Sequence, residues 1–287
     1  MTRTIRLAIS TCPNDTFAFH GLLTRAVDWR GLDFEVTLLD IEALNAGLAR
    51  GDFDVCKACF AAALAVARDV VVLPSGAALG FGVGPLLLAS AQHAVPRDAT
   101  QLTLCPGERT TAALLFAMFH PHSTRVEHVV FSEIMPRLRD RSAEFGVCIH
   151  EGRFTWEAQG LHLVEDLGTR WEAVTNGPLP LGGIVASRRL PRGVIATVQR
   201  VIRDSLELAL TDRAAALPTM RAHAQEFDDR VLMQHVELYV NEWTRDLGET
   251  GRRALDAFAG RAASVGAGIV TPDDAERGGA RLEIFAG

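Results

Sequence analysis

The segment Phe145-Gly-Val-Cys-Ile-His150-Glu151-Gly-Arg153-Phe154 runs from an apolar strand pattern straight into an imidazole, a carboxylate and a guanidinium. Imidazole titrates nearest neutrality of the ordinary side chains, so His150 at a strand tip suits general-base work, although a satisfied structural histidine reads the same way. In Cys105-Pro-Gly-Glu-Arg-Thr110-Thr111 a strand, a loop and a helix start follow one another. Free backbone N–H groups, two hydroxyls and the positive end of a helix dipole could hold a carboxylate there, or simply cap the helix. Cys12-Pro13-Asn14-Asp15-Thr16 has a similar form: Pro13 opens a helix, and Asn14 or Asp15 either caps it or faces a ligand. Lys57 is the single lysine among 29 basic residues and ends a short strand, so any Schiff-base chemistry would fall to it.

Three other patterns point less far. Gly80-Phe-Gly82-Val-Gly84 precedes an apolar strand rather than a helix, so the helix start that cradles a dinucleotide pyrophosphate is missing, and an inter-lobe turn is expected. Cys56-Lys57-Ala58-Cys59 has C-x-x-C spacing but no second pair to complete a zinc site; ordinary buried thiols are expected. His120, His122 and His128 lack a carboxylate at ligand spacing in their loop, and no metal site is expected.

The elements that must position these residues alternate. Strand patterns at Ile5–Ser10, Phe34–Leu39, Phe53–Lys57 and Val70–Leu73 alternate with helical ones, as in α/β architecture. Two similar apolar phrases, Gly84–Ser90 and Leu181–Ser187, read as strands on which the chain crosses between lobes. They bracket a further α/β cycle: strand 102–104, helix 110–119, strand 126–131, a helix near Ile134 and strand 145–149. A discontinuous lobe of residues 1–90 plus 186–287 and an inserted lobe of 91–185 are therefore expected, with a cleft between strand ends where open α/β sheets place ligands. After Ser187, apolar residues recur at helical spacing in 194–210, 230–244 and 249–263, read as scaffold.

The 287 residues carry 29 Lys plus Arg against 35 Asp plus Glu, a net charge of −6, with no basic run. That argues against nucleic acid or an anionic membrane surface as partner and for a small molecule. No apolar run approaches the roughly 20 residues of a membrane span. Met1-Thr-Arg-Thr-Ile-Arg leads directly into a strand pattern without a signal-peptide core, and five cysteines read as free thiols, so a cytoplasmic protein is expected. Oligomeric state is not legible.

At these same residues the sequence resembles the 1,4-dihydroxy-6-naphthoate synthase family of the futalosine route to menaquinone. The matching phrases are Cys12 to Phe17, Gly80 to Leu86, Pro106-Gly107 with Thr110-Thr111, Ile149-His-Glu with Arg153-Phe-Thr155, Leu179 to Gly182 and His235 to Asn241, in family order. The resemblance implies an α/β, two-lobe periplasmic-binding-protein-like (type II) fold with a ligand cleft between the lobes. It also implies a lyase that splits cyclic dehypoxanthine futalosine into 1,4-dihydroxy-6-naphthoate and dihydroxyacetone with no cofactor. On this chain the implied proton acceptor is His150, and the implied substrate contacts are Lys57, Ala58, Cys59, Thr110 and Thr111, with Asn14 and Asp15 as further candidates. Cys59 departs from the serine the resemblance leads one to expect, and a thiol donates a weaker hydrogen bond. Two rival readings are a chorismate dehydratase-like enzyme of the same route, which the His150-Glu151 phrase disfavours, and a non-catalytic small-anion binding protein.

Overall fold

The computed structural model describes residues 3–150, 152–224, 228–265 and 280–286. The chain lays down β1 (Arg3–Ser10), β2 (Leu32–Leu39), β3 (Val55–Cys59), β4 (Val70–Val72) and β5 (Ala78–Gly80) in one sheet. It builds a second sheet from β6 (Leu86–Ala89), β7 (Leu102–Cys105), β8 (Arg125–His128), β9 (Phe145–Cys148) and β10 (His162–Asp166), then returns to the first with β11 (Leu179–Ser187). The first sheet has the order β2-β1-β3-β11-β4, with β5 on β11; the second runs β10-β6-β9-β7-β8. β1 pairs in parallel with β2 and β3, whereas β11 enters antiparallel to β3, β4 and β5.

Alternation along β1 explains why the first sheet is covered on both faces. Ile5, Leu7 and Ile9 join one apolar cluster, packed with Ile195, Val198, Ile202 and Leu206 of the Arg192–Thr211 helix, while Ala8 joins another. Each fully buried Leu or Ile contributes roughly 1.5–3 kcal/mol, so this face is a strong clamp. The other cluster reaches across to the second lobe through Leu87, Phe145 and Trp171, and takes in Phe258 of the Gly248–Val265 helix. Where the chain crosses, Gly84 lies back to back with Gly168: a Cβ on Gly84 would sit 2.2 Å from the Gly168 Cα. On the return, a Cβ on Gly182 would meet the Ala58 carbonyl oxygen at 2.5 Å, so β11 can approach β3 only without one.

Several expectations are corrected. β6 belongs to the second sheet and β11 to the first, so the divisions expected at 90/91 and 185/186 move back to the loops that precede these two strands. The strand expected over 126–131 is Arg125–His128, and Phe131 already opens the Phe131–Arg139 helix. The helix expected over 230–244 is two, Asp229–Tyr239 and Glu242–Arg245, because Asn241 leaves helical geometry and caps the second with its side chain. Asn14 and Asp15 do not cap the Pro13–Ala18 helix: Cys12 is its N-cap, without a side-chain cap bond, and both polar residues lie inside the helix. Among the described residues, no helix is long and apolar enough to cross a membrane.

Candidate active site

The strand ends of both lobes face one cleft. Every residue that the sequence singled out for ligand contact lines it: Asn14, Asp15, Lys57, Ala58, Cys59, Thr110, Thr111 and His150. Glu151, the other carboxylate weighed in the sequence, lies outside the described residues.

The first-lobe wall is held by a closed polar cluster. The Lys57 ammonium lies 2.7 Å from Asp15 Oδ1 and 3.4 Å from the Gly76 carbonyl oxygen. Asp15 Oδ1 also accepts from the Asn14 amide at 2.9 Å, and its Oδ2 from the Ser10 hydroxyl at 2.7 Å. Ser10 Oγ in turn accepts from the Cys12 N–H at 3.1 Å. Lys57 and Asp15 are 5% and 2% exposed, a depth at which charges persist only when paired and bonded. Asn14 thus reaches the cleft by steadying Asp15.

Thr110 is the N-cap of the Thr111–Phe119 helix: its hydroxyl accepts from the Ala113 N–H at 3.1 Å and donates to the Gly107 carbonyl at 2.9 Å. Thr111 Oγ1 donates to the Leu181 carbonyl of the opposite lobe at 2.7 Å. Both hydroxyls are therefore committed within the protein. The groups a helix start offers a ligand are the backbone N–H groups ahead of the capped one, on Ala112 and on Thr111, whose N–H also faces the Cys59 thiol. A second link between lobes joins Arg109 to Glu42, with the Arg109 N–H 3.3 Å from Glu42 Oε2 and the guanidinium 3.5 Å from Oε1. Burial raises the Glu42 pKa in spite of these contacts.

Opposite them, β9 ends at Cys148 and His150 adopts φ +55°, in the left-handed region that a non-glycine residue seldom occupies. Its Nδ1 is 3.2 Å from Cys12 Sγ, and its ring meets Phe131 edge-on at 4.8 Å. Its Nε2 lies 3.6 Å from the same sulfur, so the Cys12 thiol borders both ring nitrogens, and the tautomer sets which of them accepts. Just after the histidine, Arg153 fixes the backbone by bonding the Gly84 carbonyl and Asp166, each at 2.6 Å.

The Asp229–Tyr239 helix is more than scaffold. His235 and Tyr239 line the cleft from it, with the His235 ring nearly parallel to that of His150, 17° off, at 6.2 Å between centroids. Neither residue was singled out for the site, because their spacing with Leu232 and Val236 reads as a buried apolar helix face. The signals were the polar ring on that face and the matching phrase His235 to Asn241. Burial, with a smaller contribution from His150, pulls the His235 pKa down to about 3.

Burial pushes the Cys56 thiol to about 12 and raises that of Cys59, which disfavours the reactive thiolate in either. His120 bonds Glu165 at 2.6 Å, and no group of three or more potential metal ligands occurs among the described residues. The Gly80–Gly84 stretch is the turn between lobes, pinned by Glu172 on the Gly82 N–H at 2.6 Å and by the Asn241 amide on the Leu79 carbonyl at 2.9 Å.

A family model described as menaquinone biosynthesis matches residues 5–264. A 1,4-dihydroxy-6-naphthoate synthase of Streptomyces coelicolor is 40% identical over 268 residues, 92% of this chain and 94% of that protein. One from Thermus thermophilus is 39% identical over 270 residues, 93% of this chain and 97% of its own. The crystal structure of an Archaeoglobus fulgidus protein superposes with a TM-score of 0.87 at 27% identity, covering 92% of this chain and 98% of that one. The periplasmic aliphatic sulphonate binding protein of Escherichia coli superposes with 0.60 at 11% identity, over 90% and 87% of the two chains, a likeness of fold alone. The architecture is the two-lobe periplasmic-binding-protein-like one.

Proposed function

The chain belongs to the menaquinone-biosynthesis family and, within it, to the 1,4-dihydroxy-6-naphthoate synthases; from that premise we propose that it splits cyclic dehypoxanthine futalosine into 1,4-dihydroxy-6-naphthoate and dihydroxyacetone, with His150 as proton acceptor. The observation that carries the role of His150 is its place: an imidazole in a left-handed backbone conformation, lining the cleft, with its ring edge against Cys12 Sγ, 3.2 Å from Nδ1 and 3.6 Å from Nε2. Strained conformations of this kind persist where surrounding structure enforces them, often at reacting centres.

The substrate's carboxylate is assigned to the Thr111 and Ala112 N–H groups, beside Lys57, Ala58 and Cys59. That leaves the scissile part of the molecule toward His150. Deprotonation there, followed by carbon–carbon cleavage, releases the ketotriose, and the ring left behind becomes aromatic, which supplies the driving force. The protein has to supply a base near neutrality and a cleft that excludes water, which two lobes tied by the Thr111–Leu181 and Arg109–Glu42 contacts can do. Asp15 is a poorer base, since both its oxygens already accept hydrogen bonds. The compartment assigned is the cytoplasm, supported by five cysteines that are all free thiols.

His150→Asn keeps a hydrogen-bonding group of similar size. It should leave the melting temperature and the affinity for 1,4-dihydroxy-6-naphthoate near the parent's while kcat falls by roughly 10²- to 10⁴-fold. A folded, substrate-binding variant within a few-fold of parental turnover would make His150 structural. Turnover of chorismate in place of the futalosine derivative would move the enzyme to the dehydratase reading.

A further inference from the structure

His235 is 2% exposed, and neither of its ring nitrogens has a hydrogen-bond partner among the described residues. Buried polar groups in folded proteins are bonded in the great majority of cases, and one left unbonded carries its full desolvation cost. Here both nitrogens of one ring are in that position, on a helix that could have carried a leucine. The ring is also no ordinary core histidine, because it lines the cleft, next to Tyr239 at 4.5 Å and His150 at 6.2 Å between centroids. Resting on the function proposed above, we infer that His235 is a substrate-binding residue whose ring hydrogen-bonds an uncharged oxygen, a hydroxyl or carbonyl, at the end of the substrate on which His150 acts.

The class of partner follows from the surroundings. The carboxylate has its own place at the helix start across the cleft, and a desolvated ring whose pKa is pulled down to about 3 offers an anion no charge. A neutral imidazole presents one donor and one acceptor, which suits a hydroxyl-bearing group that can both accept and donate.

Asparagine and leucine share one branched arrangement of side-chain heavy atoms and differ in hydrogen bonding, so His235→Asn and His235→Leu separate contact from shape. Both would be measured in the full chain by thermal melting, by steady-state kinetics on cyclic dehypoxanthine futalosine, and by equilibrium binding of 1,4-dihydroxy-6-naphthoate. The leucine variant should melt at or above the asparagine variant, since it removes the unbonded polar group, yet raise KM tenfold or more. The asparagine variant should stay within about fivefold of the parent. Equal KM values, or a better leucine variant, would overturn the assignment. If leucine prevents folding, His235→Phe takes its place with the same expected loss. Should the parent bind the naphthoate but turn over nothing, the proposed reaction fails, and the ratio of naphthoate affinities decides on His235: a tenfold loss with leucine supports the contact, an unchanged affinity refutes it. A parent that neither binds nor turns over would overturn both.

Discussion

The cleft has two polar corners. Around Asp15 and Lys57 every carboxylate oxygen is bonded, to the ammonium, to Asn14 and to Ser10. Around His235 two ring nitrogens at similar depth have no partner among the described residues. The first corner is complete without a ligand and shapes the wall; the second is unfinished, and a substrate oxygen would finish it. The difference lies in what removal does. Deleting a member of the complete corner strands a buried charge, whereas deleting the unbonded ring strands nothing.

Asp15→Ala tests the first half of that contrast and carries the largest expected effect. With Lys57 left buried and unpaired, stability in urea unfolding should fall by about 3–5 kcal/mol. A loss under about 1 kcal/mol would mean that the ammonium finds another partner, and the corner would no longer count as closed.

Acid titration sharpens the second half. The unfolded chain protonates a histidine near pH 6.5, whereas folded His235 refuses the proton until about pH 3. Its contribution to stability is therefore fully present above pH 6.5 and is lost progressively as pH falls towards about 3, by at most about 1.4 kcal/mol per pH unit. The stability difference between the parent and His235→Leu should follow that slope; a difference that does not vary with pH would mean the ring takes a proton in the folded state.

The smallest effect is expected between the corners, at the helix start. Thr110→Ala with Thr111→Ala removes a cap worth about 1 kcal/mol and the bond to Leu181, so the N–H groups lose their setting while remaining present. KM should rise more than kcat falls, because binding common to ground and transition states is lost first. An unchanged KM would place the carboxylate elsewhere in the cleft.

Much of the site was legible because its residues sit at transitions between elements. His150 follows an apolar strand, Thr110 and Thr111 open a helix, and Lys57 stands near a strand's end, so local pattern alone sets them at strand and helix ends where α/β clefts form. His235 was not legible for the opposite reason: it lies mid-helix, where spacing with Leu232, Val236 and Tyr239 describes a buried face without saying what that face is buried against. Asp15 read as a cap because an acidic residue after Pro13 fits the start of a helix, yet Cys12 holds that place.

By itself the sequence determined the alternation of strands and helices, the two crossings and the types of side chain available at the strand ends, since these follow from periodicities of two and 3.6 and from turn residues acting over a few positions. Only the tertiary structure decided that β6 starts the second sheet, that Asp15 meets Lys57 from 42 residues away, and that the Asp229–Tyr239 helix brings His235 beside His150. Each of those joins elements whose own patterns are satisfied by any apolar neighbour, so the partner is chosen by how whole faces pack together and not by local chemistry.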